Sequence, residues 1–402
     1  MQSRILGTVL VITMMLSACT SISTQGDAGS ERPYRDGETR RSAGEAEPPT
    51  SESLGLGPAL KKLGRGLYVM GKPPRRMSFI NHMVVGGSWA AFEPHDQTFD
   101  GPGWERISSV LRRFPKVKLR IRILAGRGSP RFVKKLGGPP ISGPERDCSD
   151  EGGIAIVQPS NNIASCVPYF WEDSVLDQYE ELMTEVARRF EGNDRVLDVV
   201  NSACMTNWAE PFIRSGNDLE SNTRLWKAGL KEGTDRHCQQ RSMEIHDRLF
   251  RTTRTSLAAH QQWQVIVDPA TDADGVAPSW SKERKLLDRF RDIYEKKLVI
   301  QNNGLGAGEG CSGGGESSEL FCWMRGDAGP NGFQTEGDRK LERDGVTILD
   351  VVARGLRMGA CFIEHNHFGR NRPWARKYDH RLKANCSEDG QRSSFNGLSV
   401  TP

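Results

Sequence analysis

The chain has 402 residues, with 55 Lys plus Arg against 51 Asp plus Glu. Balanced charge without a long basic stripe gives no pull toward nucleic acid. The length exceeds one small domain and suits one barrel with a leader and a tail. Nine cysteines are many for a reduced cytosolic enzyme, so the compartment is the first question.

The N-terminus bears on it. Met1 to Arg4 is a short basic start, Ile5 to Leu16 is an apolar run, and Leu16-Ser17-Ala18-Cys19 follows. This order describes a secretory signal whose apolar core is too short to span a bilayer as a mature helix. The four residues ending at Cys19 resemble a bacterial lipobox. The resemblance implies cleavage before Cys19, acylation (palmitate among the chains), and an exported protein lipid-anchored in the cell envelope. An ordinary signal peptide with a chance Cys is the alternative.

Residues 1–18 are then signal peptide. Residues 19–53 are rich in Ser, Glu, Gly, Arg and Pro and read as a disordered tether. Residues 54–386 form the body, and 387–402 a disordered tail. The eight remaining cysteines suggest disulfides, whose connectivity sequence alone leaves open. Cys148 with Cys166 and Cys311 with Cys322 would each close a Gly-, Pro- or Ser-rich loop. Cys204 with Cys238 and Cys361 with Cys386 are the further pairs considered. No Cys-x-x-Cys exists, so no metal is expected.

Along the body, short apolar runs alternate with helical patterns. Strands are expected near Gly66–Val69, at His82–Trp89, Val117–Leu124, Val196–Val200, Trp263–Val267, Lys297–Ile300, Gly332–Gln334 and Ala360–Ile363. Between them, Val175, Leu176, Tyr179, Leu182, Met183, Val186 and Phe190 share one helical face, with Asp173 or Ser174 as cap. Ile245, Leu249 and Leu257 suggest a long helix. Leu286 to Tyr294 and Ile348 to Leu356 mark two more, the second closed by Gly359. Strands separated by helices imply parallel pairing. The number of units favours a single closed (β/α)8 barrel, a TIM barrel. A doubly wound open sheet is the alternative.

In such a barrel the loops after the strands converge on one mouth. Asn201 to Pro211, containing Asn207, Trp208 and Glu210, follows one strand, and Thr335-Glu336-Gly337 follows another. Glu364-His365-Asn366-His367 ends the last. The run from Trp89 through Phe92-Glu93-Pro94 to Trp104 looks like an early segment of clan A (β/α)8 glycoside hydrolases. Leu119–Arg122 with Ser129–Val133 is similar to the next strand and turn of β-galactosidase-like and cellulase-like members. Arg188–Val196 resembles the approach to the acid/base strand. The resemblance spans roughly residues 83–369 and implies Glu210 as acid/base, Glu336 as nucleophile and retention of configuration. One position departs: many members carry Asn directly before the acid/base, and here it is Ala209.

Two carboxyl groups suit glycoside hydrolysis because one must donate a proton while the other attacks. Sugars stack on rings and need polar partners. The expected substrate-binding residues are therefore Trp89, Arg120, Asn207, Trp208, Asn302, His365 and His367, with Gln301 and Asn303 as further hydroxyl partners. Arg120 or Arg122 is expected to pair with Glu336 or Glu210. Glu93 reads as structural, and Glu364 as either site wall or core ion pair. Gly304 to Gly310 lacks the spacing and the following helix of a phosphate loop. No Gly-x-Ser-x-Gly elbow occurs. The expected function is an exported retaining glycosidase with a carbohydrate substrate and no cofactor. The alternatives are an inactive carbohydrate-binding barrel and a structural envelope lipoprotein.

Overall fold

The computed structural model describes residues 58–70, 79–158, 162–214, 218–260, 263–272, 275–306, 311, 316–365 and 373–391. Cys19, His367 and the leader and tether lie outside the described residues. Eight strands close into one barrel. In chain order they are β1 (Gly66–Met70), β2 (His82–Ser88), β3 (Lys118–Leu124), β4 (Val196–Val200), β5 (Arg254–Ala259), β6 (Leu298–Leu305), β7 (Asn331–Thr335) and β8 (Phe362–His365). Every neighbouring pair is parallel, and β8 closes on β1 with Gly66 opposite Phe362. The chain is a (β/α)8 barrel.

Strand alternation sorts the residues into two environments. On β3, Leu119, Ile121 and Ile123 face outward into the main core, where they meet the helix layer. Arg120 faces the lumen and is fully buried. Its guanidinium bonds Asp198 at 2.5 Å, Gln301, and Glu364 at 3.4 Å. It also lies 4.2 Å from the centre of the Phe362 ring and 5.0 Å from that of Tyr68. Ser256 donates to the same Asp198 oxygen at 2.7 Å. A buried guanidinium is tolerated only with such partners, since desolvating it alone costs several kcal/mol. Gly332 makes room for this layer: a Cβ there would stand 2.1 Å from the Phe362 ring.

One expected strand is corrected. Trp263–Ile266 is not in the barrel; it pairs antiparallel with Val276–Ser279. The barrel strand is the preceding Arg254–Ala259, where Leu257 had fallen into a helical pattern. All six of its residues are buried, so no inside–outside alternation marks it in sequence. The helix before it ends at Leu249. A second excursion, after β3, is the hairpin Ile154–Gln158 with Ile163–Val167.

Local signals account for helix ends. Gly359 adopts φ +77° after the helix Ile348–Arg357, as a C-terminal glycine does. Asp173 and Ser174 do not cap their helix. Its N-cap is Glu172 without a side-chain bond, and Asp173 reaches His237 instead. Four disulfides form: Cys148–Cys166, Cys204–Cys238, Cys311–Cys322 and Cys361–Cys386. Ser387–Gln391, expected in the tail, forms a turn in which Glu388 takes salt bridges from Lys62 and Arg65. Among the described residues no helix is long and apolar enough to cross a membrane.

Candidate active site

A cavity of about 550 Å³ opens at the C-terminal ends of the strands. Both Glu210 and Glu336 line it, with Arg122, Trp208, Asn303, Gln334 and Lys340 among the other walls. Glu210 sits on the loop after β4, and that loop is tied down from several sides. Cys204 is bonded to Cys238. Arg214 pairs with buried Asp235 and donates to Pro211 O at 2.7 Å, and Gln239 donates to the same carbonyl at 2.9 Å. Burial pushes the Glu210 carboxyl up to about 7, against the opposing pull of Arg122. Such a group is protonated near neutrality and can give a proton.

Glu336 directly follows β7, and its N–H donates to Leu305 O at 3.0 Å. Its side chain is only 12% exposed, and Lys340, one turn along the next helix, pairs with Oε1. This carboxyl therefore faces a cation while Glu210 sits in a desolvated wall. The two carboxyl groups thus share one cavity in unlike surroundings.

Arg122 forms part of the wall. It donates to Glu364 at 2.8 Å and to Gln334 at 3.0 Å. The expected pairing of Arg120 or Arg122 with Glu336 or Glu210 is thus replaced by Asp198 and Glu364. The cause is register: lumen-facing positions sit in layers, and Asp198 and Glu364 lie level with the arginines. Glu364, fully buried, is a core ion-pair partner.

Of the expected sugar-binding residues, Trp208 lines the cavity, 42% exposed, with the Arg127 guanidinium 5.2 Å from its ring centre. His367 lies outside the described residues, and the other five are placed elsewhere. Trp89 is buried in the core, donating to Glu93 at 2.8 Å. Arg120 is spent in the lumen beneath. Asn207, on the same loop, is buried and off the cavity wall. Asn302 bonds Ala259 O at 3.2 Å and accepts from Gly304 N at 3.0 Å, so it braces β6. His365 is buried, with Nδ1 2.6 Å from Thr335 Oγ1 and Nε2 3.2 Å from Asp338. None of these side chains lines the cavity. Asn303, one residue from Asn302, is on the wall instead. Gln334 and Lys340 were missed; their signal was spacing, two residues before and four after Glu336.

No protein-family model matches the chain, and no curated protein matches it. Among solved structures it is similar to endo-glycoceramidase II from Rhodococcus sp., at 15% identity and TM-score 0.44, covering 81% of this chain and 80% of that one. It is also similar to the catalytic domain of a beta-amylase from Paenibacillus polymyxa, at 10% identity and TM-score 0.42, covering 84% and 96%. A third is a psychrophilic glycoside hydrolase family 10 endo-beta-1,4-xylanase, at 10% identity and TM-score 0.40, covering 75% and 85%.

Proposed function

We propose that this chain is an exported, lipid-anchored retaining glycoside hydrolase acting on a poly- or oligosaccharide. The observation that carries the reading is the shared cavity: carboxyl groups from the ends of β4 and β7 line one mouth, in unlike surroundings. Glu210, protonated, gives its proton to the glycosidic oxygen as Glu336 attacks the anomeric carbon. The leaving sugar departs and a glycosyl ester remains on Glu336. Glu210, now a carboxylate, takes a proton from water, which attacks the same carbon and frees Glu336.

The test is reducing-end release by the purified domain across a polysaccharide panel. Glu336→Gln removes the attacking oxyanion, so turnover falls by at least about a thousandfold while the fold persists. Full activity of that variant on a confirmed substrate refutes the assignment. Ala209, a cavity-wall residue where relatives by resemblance carry Asn, favours one second reading: a barrel that binds sugar without cleaving it. That reading predicts binding with no release of reducing ends.

A further inference from the structure

Two cations near the cavity are given no proton or bond to move in the reaction just described: Lys340, on its wall, and Arg127, beside the wall residue Trp208. Resting on the glycosidase reading of this cavity, we infer that its substrate is an anionic glycan, whose carboxylate, sulfate or phosphate groups are held by Arg127 and Lys340.

Arg127 is placed by its neighbours. It follows β3 in the sequence Gly126-Arg127-Gly128. A Cβ on Gly126 would stand 1.9 Å from Thr206 O, and one on Gly128 2.5 Å from Leu124 O. Only glycines let this turn press onto the loop that carries Trp208, where Arg127 N donates to Thr206 O at 2.9 Å. The guanidinium is thereby parked 5.2 Å from the Trp208 ring centre. A ring takes none of the guanidinium's N–H donors, and that planar fork is what grips a carboxylate or a sulfate. Among the described residues Arg127 makes no ion pair with a carboxylate, unlike Arg122, which is committed to Glu364.

Lys340 lines the cavity from the β7 side. It is 49% exposed and meets Glu336 through a flexible stem. An exposed ammonium exchanges one carboxylate partner for another at small cost. Below neutral pH Glu210 carries little negative charge, because burial holds its proton. The site therefore carries a fixed guanidinium beside Trp208 and an exposed ammonium on the cavity wall. A neutral glycan covering Trp208 would offer Arg127 hydroxyl acceptors only, whereas an anionic one supplies a charge-assisted partner, roughly twice as strong.

Affinity electrophoresis of the purified domain tests this. The gels contain polygalacturonate, alginate or chondroitin sulfate in one set, and hydroxyethylcellulose, xylan or galactomannan in the other. Carboxylated and sulfated members separate the two anion sources. The expected result is retardation by at least one anionic polymer, weakened by salt. Arg127→Gln should weaken it about tenfold, the loss of one charge-assisted bond, and Lys340→Gln should weaken it further. Unchanged retardation in Arg127→Gln overturns the inference. So does cleavage of neutral polymers alone, which leaves the glycosidase reading standing. Salt-sensitive, Arg127-dependent binding without cleavage of any polymer upholds the anionic site and removes hydrolysis instead.

Discussion

Replacing Glu210 by Gln tests the site through two independent readouts. Burial lifts this carboxyl from its usual 4.5 to about 7. The folded protein therefore holds a proton that the unfolded chain has already released between those two pH values. The sign follows from that difference: native stability falls as pH rises from about 4.5 to about 7, and is level outside that window. At 1.36 kcal/mol for each pH unit, the full cost of ionising Glu210 in place is about 3 kcal/mol. One side of the group faces the open cavity, so solvent screening reduces this to about 2 kcal/mol. Gln does not titrate. Glu210→Gln should therefore match the parent protein at pH 4.5 and exceed its stability by about 2 kcal/mol at pH 8.5, or ~4 °C in melting midpoint. Thermal melts of both proteins at the two pH values measure it. The same proton governs catalysis, so kcat/KM of the parent falls above about pH 7 as the acid is lost. With an activated aryl leaving group, which needs no acid, Glu210→Gln loses both the fall and most of its defect. A stability gap equal at the two pH values would show that Glu210 is not held protonated, and the acid assignment would go with it.

Other perturbations probe the supports of the site and the anchoring. Replacing Cys204 and Cys238 by Ser opens a cross-link spanning 34 residues, worth about 4 kcal/mol by chain entropy. It should also reduce turnover, because the Glu210 loop loses its tie; denaturant melts and kinetics measure the two effects. Gly332→Ala places a methyl 2.1 Å from the Phe362 ring inside the barrel, and should destabilise by about 1–3 kcal/mol in the same melts. Cys19→Ser should release the protein from membranes to the soluble fraction on cell fractionation, and retention unchanged from the parent contradicts lipid anchoring.

Much of the barrel was legible because parallel strands buried on both sides leave short apolar runs between amphipathic helices. Strands β2, β3 and β4 and the helix Asp173–Phe190 follow from that periodicity alone. β5 did not, since Arg254-Thr255-Ser256-Leu257-Ala258-Ala259 has neither alternation nor β-branched apolar bulk, and Trp263–Ile266 imitates a strand better. Glu210 and Glu336 could be singled out because each follows a strand end. Partner choice was another matter. Alternation put Arg120 and Arg122 on one face, yet only closure of the sheet brought Asp198 and Glu364 level with them. Likewise Asn302 and Asn303 are adjacent in the chain but face opposite sides of β6, and one braces the backbone while the other meets the cavity.

Local order, then, was written in much of the chain: where most strands and helices run, which face of each helix is apolar, where a carboxylate follows a strand. The tertiary structure decided which side chains meet. Contacts across a lumen depend on the stagger of eight strands around a ring, and stagger is fixed by the packing of the whole sheet rather than by any one segment of it.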